Sequence, residues 1–176
     1  SELAGNIFTA DNIHKTDALP PLMQYAIFCD PSDLRGADHF ACVLGGIGAD
    51  GKMYVVDAFS PNEGQDALMI EHLRKWCSAY NVERIWIETN GSIGRRFYEY
   101  AQNSGLDVTA WWSKDNKFER ITANYQDLTQ RVVFAETDNV QEYLGQVYTF
   151  DKKCAHDDNI DAVNSLWNYY RFLRLV

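Results

Sequence analysis

At 176 residues the chain is long enough to bury one sizeable core, and its 46% hydrophobic and 23% charged residues are ordinary for a globular protein. No apolar run approaches the roughly 18 residues of a membrane span, and Ser1–Thr16 lacks the basic start and apolar centre of a secretion signal; the chain reads as soluble, intracellular and not secreted. A net charge of −9 and a pI of about 4.8 argue against a uniformly basic nucleic-acid binder, although a carboxylate metal site adds negative charge that bound cations offset.

Residues 1–22 carry Gly5, Pro20 and Pro21 with little periodicity and read as a linker or lead-in arm, leaving 23–176 as the domain. The apolar run Tyr25–Cys29 predicts a buried strand with Asp30 at its C-terminal end, since Pro31 cannot continue the pairing. Strands are predicted over His39–Gly46 and Met53–Phe59, joined through Ala49-Asp50-Gly51, because Asp-Gly suits turns that need positive φ. Short connections make these three strands an antiparallel meander. Within Gln65–Tyr80, Leu68, Met69, Leu73, Trp76 and Cys77 fall at helical spacing. Val82–Thr89 alternates as a strand, with Ile85 and Ile87 on one side and Trp86 and Glu88 on the other.

Ile93–Asn103 predicts a helix that Gly105 caps, and Val108–Trp112 a fifth strand. A helix near Phe118–Thr129, a brief strand Val132–Ala135 and a helix Val140–Tyr148 follow. The last predicted element is an amphipathic helix, Asp157–Leu173, carrying Ile160, Val163, Trp167 and Tyr170. A helical crossover places strands four and five parallel, beside the antiparallel meander. The expected fold is therefore α/β, a five-stranded mixed sheet flanked by helices.

Cys29, Cys42, Cys77 and Cys154 show no CxxC spacing, and His14, His39, His72 and His156 are scattered, which argues against a zinc site and a disulfide framework. Cys29, Cys42 and Cys77 fall in apolar or helical stretches, where a free thiol behaves as a small buried hydrophobe. Aromatic residues, 14% of the chain, point to a core or a binding surface rich in rings.

The acids carry the chemistry. Asp30 closes strand one, Glu88 closes strand four, and Asp157, Asp158 and Asp161 open the last helix, where positions three and four apart share a face. Strand ends and a helix start can meet at one edge of a sheet. Carboxylates packed that closely repel one another and raise one another's pKa, so cations must neutralise them. Oxygen ligands without Cys or His select Mg²⁺ or Mn²⁺, and two such ions stabilise the attacking and leaving oxygens of a phosphoryl displacement. Taken singly, Asp30 before Pro31 reads equally as a turn residue, Glu88 as the start of a loop, and Asp157 or Asp158 as a first-turn charge favoured by the helix dipole. Only the set argues for catalysis.

Phe28-Cys29-Asp30-Pro31-Ser32, Asp38 before strand two, Ile87-Glu88-Thr89-Asn90-Gly91, Lys117-Phe118-Glu119-Arg120-Ile121 and His156-Asp157-Asp158-Asn159-Ile160-Asp161-Ala162 occur in this order. Together they resemble the C-terminal nuclease domain of the large terminase subunit of tailed bacteriophages, over about Tyr25 to Leu173. The resemblance implies an RNase H-like fold and an endonuclease that cuts double-stranded viral DNA concatemers during genome packaging with two Mg²⁺ or Mn²⁺ ions. It implies Asp30, Glu88 and Asp158 as catalytic acids, with Asp157 and Asp161 as further metal ligands; which Asp of the last cluster is the main one stays open. Lys117 and Arg120 match the family's basic motif, and with Lys114, Arg95 and Arg96 they are expected to contact DNA phosphates; Arg120 paired only to Glu119 or another surface acid is the plain alternative. Trp111 and Trp112 would stack on bases, or simply pack in the core of a central strand.

By the same resemblance the partners are a packaging ATPase domain, the portal and the small terminase subunit, with no membrane, in the cytoplasm of an infected bacterial host. Gly91-Ser92-Ile93-Gly94-Arg95-Arg96 lacks the Lys-Ser/Thr pair of a phosphate-binding loop, so its glycines read as turn and helix-start residues, and the chain reads as an excised domain, with a stand-alone nuclease as the alternative, that cuts but does not translocate. The rival readings are a junction-resolving or transposase-like nuclease of the same fold, and a catalytically silent DNA- or motor-binding domain.

Overall fold

A computed structural model describes residues 7–31, 40–60, 66–148 and 159–176. At its centre lies β2 (Leu22–Asp30), flanked by β3 (Ala41–Gly48) in antiparallel register and β5 (Val82–Glu88) in parallel register. Covered on both faces, β2 needs an unbroken apolar run, and Ala26 to Cys29 supply it, each 1% exposed or less. β4 (Met53–Phe59) follows β3 through a turn in which Gly51, at φ +75°, takes the left-handed position expected of the Asp-Gly pair.

The sheet has seven strands rather than five. β7 (Val132–Ala135) crosses to lie parallel to β4, and β1 (His14–Thr16) adds a short parallel edge to β7. β6 (Thr109–Trp111) forms the other edge, giving the order β1-β7-β4-β3-β2-β5-β6. Residues 7–16, which read as part of an arm, pack on the domain: Phe8 is fully buried, Ile13 is 6% exposed, and the Asn12 amide donates to the Tyr125 hydroxyl. A three-residue strand paired across more than a hundred positions, as β1 is with β7, leaves no local periodicity to read.

Helices α1 (Asp66–Ala79) and α2 (Ser92–Asn103) cover one face, where Ile27, Cys29, Leu44, Leu73, Ile87 and Phe97 pack together. The buried stripe of α1 is Met69, Ile70, Leu73 and Trp76; Leu68 and Cys77, expected inside, are exposed, because the stripe sits about one residue round from the predicted one. α2 ends at Ser104 with Gly105 at φ +87°, its N–H donating to Gln102 O and that of Leu106 to Ala101 O, so the predicted glycine cap forms. Cys29 and Cys42 are free, buried and directly opposed on β2 and β3.

The second face is covered by α5 (Asp138–Val147) and α6 (Asn159–Phe172), with α3 (Lys117–Ala123) and α4 (Tyr125–Gln130) beside them. The single helix expected near Phe118–Thr129 is broken at Asn124, whose buried amide donates to Asn164 and Asn168 of α6 and accepts from Arg171. Asn is a poor helix former whose side chain competes for nearby polar partners, and here α6 claims it. In β2, Gln24 and Tyr25 together oppose Gly46 alone; Gln24 sits at φ 56°, and its carbonyl accepts from the Tyr170 hydroxyl of α6. Among the described residues no helix is long and apolar enough to cross a membrane.

Candidate metal centre

Parallel pairing of β2 and β5 sets Cys29 opposite Ile87, so the next residues, Asp30 and Glu88, end neighbouring strands at the same level. Side chains alternate along a strand. Ala26 and Phe28 point to the α6 face, and so does Trp86, which puts Asp30 and Glu88 on that face as well. Asp161 enters from above, in the first turn of α6, which packs across β2 and β3. One carboxylate oxygen from each of the three lies within 4.8 Å of the others. Asp30 and Asp161 are nearly inaccessible, at 3% and 1% exposed.

Two cations from α3 face the acids. Arg120 grips Asp161 with both arms, Nε to Oδ1 at 3.1 Å and Nη2 to Oδ2 at 2.5 Å, and its Nη1 donates to the Asp115 carbonyl at 2.6 Å. Lys117 Nζ stands 3.7 Å from Asp30 Oδ2. Burial pushes the Asp161 carboxyl up from the ordinary carboxylate value; Arg120 and Lys117 pull against that rise and Glu88 adds to it. Burial works against the Arg120 charge, yet Asp161, with Glu88 and Asp30 behind it, holds the guanidinium above its usual value. With these three carboxylates against two side-chain cations, one formal negative charge is left over among the described residues.

The donor set fits a hard divalent ion. Glu88 Oε2 is buried without a hydrogen-bond partner among the described residues, an expensive state for a carboxylate oxygen that a cation would relieve. All three groups offer oxygen, with no sulfur or imidazole among them, which suits Mg²⁺ or Mn²⁺.

The other expected site residues fall as follows. Asp157 and Asp158 lie outside the described residues, as does Asp38. Arg120 meets neither Glu119 nor open solvent but Asp161 itself. Lys114 is exposed, its ammonium 5.9 Å from the centre of the exposed Trp112 ring. Arg95 and Arg96 are exposed on α2, against the opposite face of the sheet from Asp161, with Arg96 3.9 Å from Asp66. Trp111 does pack inward, edge-on to Phe28 and Trp86 beneath the acids. Trp112 does not: it follows the last residue of the edge strand β6 and is 60% exposed.

Several supporting residues had escaped the sequence. Asn90, two positions after Glu88, clamps the end of β6, donating to the Ser113 carbonyl and accepting from the Ser113 N–H. Tyr143 of α5 is buried close enough to Asp30 and Asp161 that, after burial itself, their charges lift its phenol well above the ordinary value, so it stays protonated. Gly94 brings α2 against the Glu88 carbonyl: a Cβ built there would stand 2.1 Å from that oxygen. The glycine had read as a helix-start residue, and its close approach leaves no mark in the order of residues around it.

No curated protein matches the chain by sequence. Among solved structures it is similar to the large terminase of a thermophilic bacteriophage, at 14% identity and a TM-score of 0.67, over 90% of this chain but only 42% of that protein's length. It is similar also to the nuclease domain of the large terminase of bacteriophage SPP1 with bound Mn, at 13% identity and TM-score 0.63, over 92% and 96% of the two chains. The large terminase nuclease of thermophilic phage G20c with bound magnesium superimposes at 14% identity and TM-score 0.59, over 93% and 96%. At such identities these likenesses establish the fold. A family profile described as the terminase RNaseH-like domain matches residues 27–169, from the middle of β2 through most of α6. The chain belongs to the terminase RNaseH-like domain family.

Proposed function

We propose that this chain is a metal-dependent endonuclease domain that hydrolyses phosphodiester bonds of double-stranded DNA, and that within a terminase it cuts viral DNA concatemers during packaging. The observation that carries the reading is the meeting of Asp30, Glu88 and Asp161 oxygens within 4.8 Å of one another on one face of the sheet. Terminase nuclease structures described with bound Mn or magnesium support the choice of ion. Asp30, Glu88 and Asp161 would hold two such ions, with Asp157 and Asp158 as further ligands and Asp158 as a third catalytic acid beside Asp30 and Glu88. Held there, the pair supplies Lewis-acid stabilisation of the charge that develops during phosphodiester hydrolysis.

The chain's own residues do the positioning. Asp30 and Glu88 are fixed by the strand register, and Asp161 is fixed by Arg120. The apolar floor of Phe28, Trp86 and Trp111 keeps bulk water from beneath the acids and strengthens the electrostatics above it. Lys114 and Lys117 are the proposed phosphate contacts, with Lys114 and Trp112 beside the end of β6, whereas Arg120 is engaged by Asp161 and Asp115, and Arg95 and Arg96 would meet DNA only on the other side of the sheet. A packaging ATPase domain, the portal and a small terminase subunit are the proposed partners, in the cytoplasm of an infected bacterium. An acidic domain binds DNA weakly alone, and those partners would present the duplex.

The test is Mn²⁺-dependent nicking of supercoiled plasmid. Asp30→Asn and Glu88→Gln should each lower the rate by two orders of magnitude or more while leaving far-UV circular dichroism unchanged. If both folded variants still nick at the wild-type rate, the assignment is wrong.

A further inference from the structure

From Ile160 to Trp167 every residue of α6 is buried, yet the helix is not apolar all round. Asp161, Asn164, Asn168 and Arg171 are spaced three, four and three residues apart, so they form a polar stripe along one face. Arg120, Asn124 and Asp127, across the break between α3 and α4, meet that stripe. Arg120 holds Asp161, and the Asn124 amide donates to Asn164 Oδ1 at 2.6 Å and to Asn168 Oδ1 at 2.9 Å. Arg171 donates to Asn124 Oδ1 at 3.0 Å, and the Trp167 indole donates to Asp127 at 3.1 Å. Toward the sheet, α6 lays Leu166 against Gly45, an apolar contact without direction of its own. The Tyr170 phenol, which donates to carbonyls of β2 and β3, lies near the far end of the helix. The seam is not built for stability alone. Asn164 Nδ2 is buried with no hydrogen-bond partner among the described residues, a cost that an apolar pair in place of Asn124 and Asn164 would avoid.

An apolar contact tolerates a helix that turns or slides a little, whereas a hydrogen bond weakens steeply with distance and angle. A slip of one residue along α6 would turn Asp161 by about 100° and shift it by about 1.5 Å. We propose that Asn124 and Asn164 are positioning residues for the metal centre. Their hydrogen bond, with those to Asn168 and Arg171, sets the rotation and height of α6 and so brings the Asp161 carboxylate to Asp30 and Glu88. The inference rests on the metal-binding reading of the three acids and names residues that act through one of them. Arg120 aims the carboxylate once α6 is in place; the asparagines decide where α6 stands. Stability separates this role from a merely structural one. An apolar pair keeps the two helices packed but erases the direction, so the fold survives while the metal site loosens.

Mn²⁺ titration calorimetry without DNA, paired with thermal melts of the metal-free protein, tests this. Asn124→Leu combined with Asn164→Leu substitutes apolar side chains branched at the same carbon, and the Asn124 backbone, at φ −99° and ψ 12°, accepts leucine. The double variant should melt no more than about 4 °C below wild type. It should nevertheless bind Mn²⁺ about threefold or more weakly, since outer partners of metal ligands are worth about 10–100-fold in affinity. A loss smaller than about threefold in that stable variant would overturn the proposal and leave the nuclease reading intact. Should the double variant melt lower or fail to fold, Asn168→Leu, at the half-buried end of the seam, decides. It should weaken Mn²⁺ binding about twofold or more within the same limit of about 4 °C, and missing either mark would overturn the proposal. Wild-type protein that binds no Mn²⁺ would overturn the metal-dependent reading and this inference with it.

Discussion

Gly94→Ala is a sharp probe of how the fold holds Glu88. An added Cβ would stand 2.1 Å from the Glu88 carbonyl oxygen, 3.2 Å from its carbon and 3.3 Å from the Thr89 Cα, all backbone atoms that cannot swing aside. Since Cβ contacts essentially never fall below 3.0 Å, the shortfall is 3.0 − 2.1, or 0.9 Å, and α2 or the end of β5 must move by at least that much. Two effects oppose each other. Alanine gains up to about 1 kcal/mol over glycine inside a helix, while forced overpacking costs about 1–3 kcal/mol, and more where neighbours cannot relax. Because the neighbours are the backbone of Glu88 and Thr89, the clash wins, and the Tm should fall by about 2–4 °C for each net kcal/mol.

The functional loss should be larger. Ligand distances in a metal site tolerate about 0.2 Å, and a misplacement near 1 Å costs about 10²-fold in rate. Gly91→Ala is the control, because nothing lies within 4 Å of a Cβ there. Thermal melts and single-turnover Mn²⁺-dependent nicking read both quantities. A Gly94→Ala protein with wild-type Tm and a nicking rate within twofold of wild type would refute the close approach and the positioning argument built on it.

Gly145, exposed within α5 and with open space around its Cβ position, should behave in the opposite way: Gly145→Ala should raise unfolding free energy by about 0.5–1 kcal/mol in denaturant melts, with nicking unaffected. His72 is stacked on Phe59 and edge-on to Trp76, and burial first of all lowers its pKa, with Lys75 adding and Asp57 and Glu71 opposing. The folded state therefore takes up the proton less readily than the unfolded chain. Its contribution is intact above the unfolded value of about 6.5 and is lost as the pH falls through that value toward the lower folded one. Accordingly, the Tm drop between pH 7.5 and pH 5.5 should be smaller for His72→Phe than for wild type; equal drops would show that His72 does not titrate against the fold.

Legibility followed the range of the interactions. Asp30 was visible because it ends an apolar run before a proline that cannot extend it, and Glu88 because it ends an alternating strand at the entry to a loop, so strand and site share one signal. Asp161 was visible only as one of a cluster: helix periodicity allows several acids near the start of α6 and cannot choose among them. The partner of Arg120 was not visible, since 41 residues separate it from Asp161 and no local pattern links α3 to α6. The break at Asn124 depends likewise on Asn164 and Asn168, and the edge position of Trp112 on a sheet order that places β6 last. Local periodicity reports which face of an element is apolar; it does not report which distant element arrives to cover it.

The irregularity at Gln24 in β2 decides which side of the sheet carries the chemistry. Leu22 and Tyr25 both belong to the α1–α2 side although three positions separate them, so the count of odd and even residues restarts there. From Ala26 onward the even positions look toward α6, and the series Ala26, Phe28 ends on Asp30. Length changes before Gln24 are thus absorbed by a segment whose phase is already independent, whereas one residue gained or lost between Ala26 and Asp30 would hand the carboxylate to the wrong side.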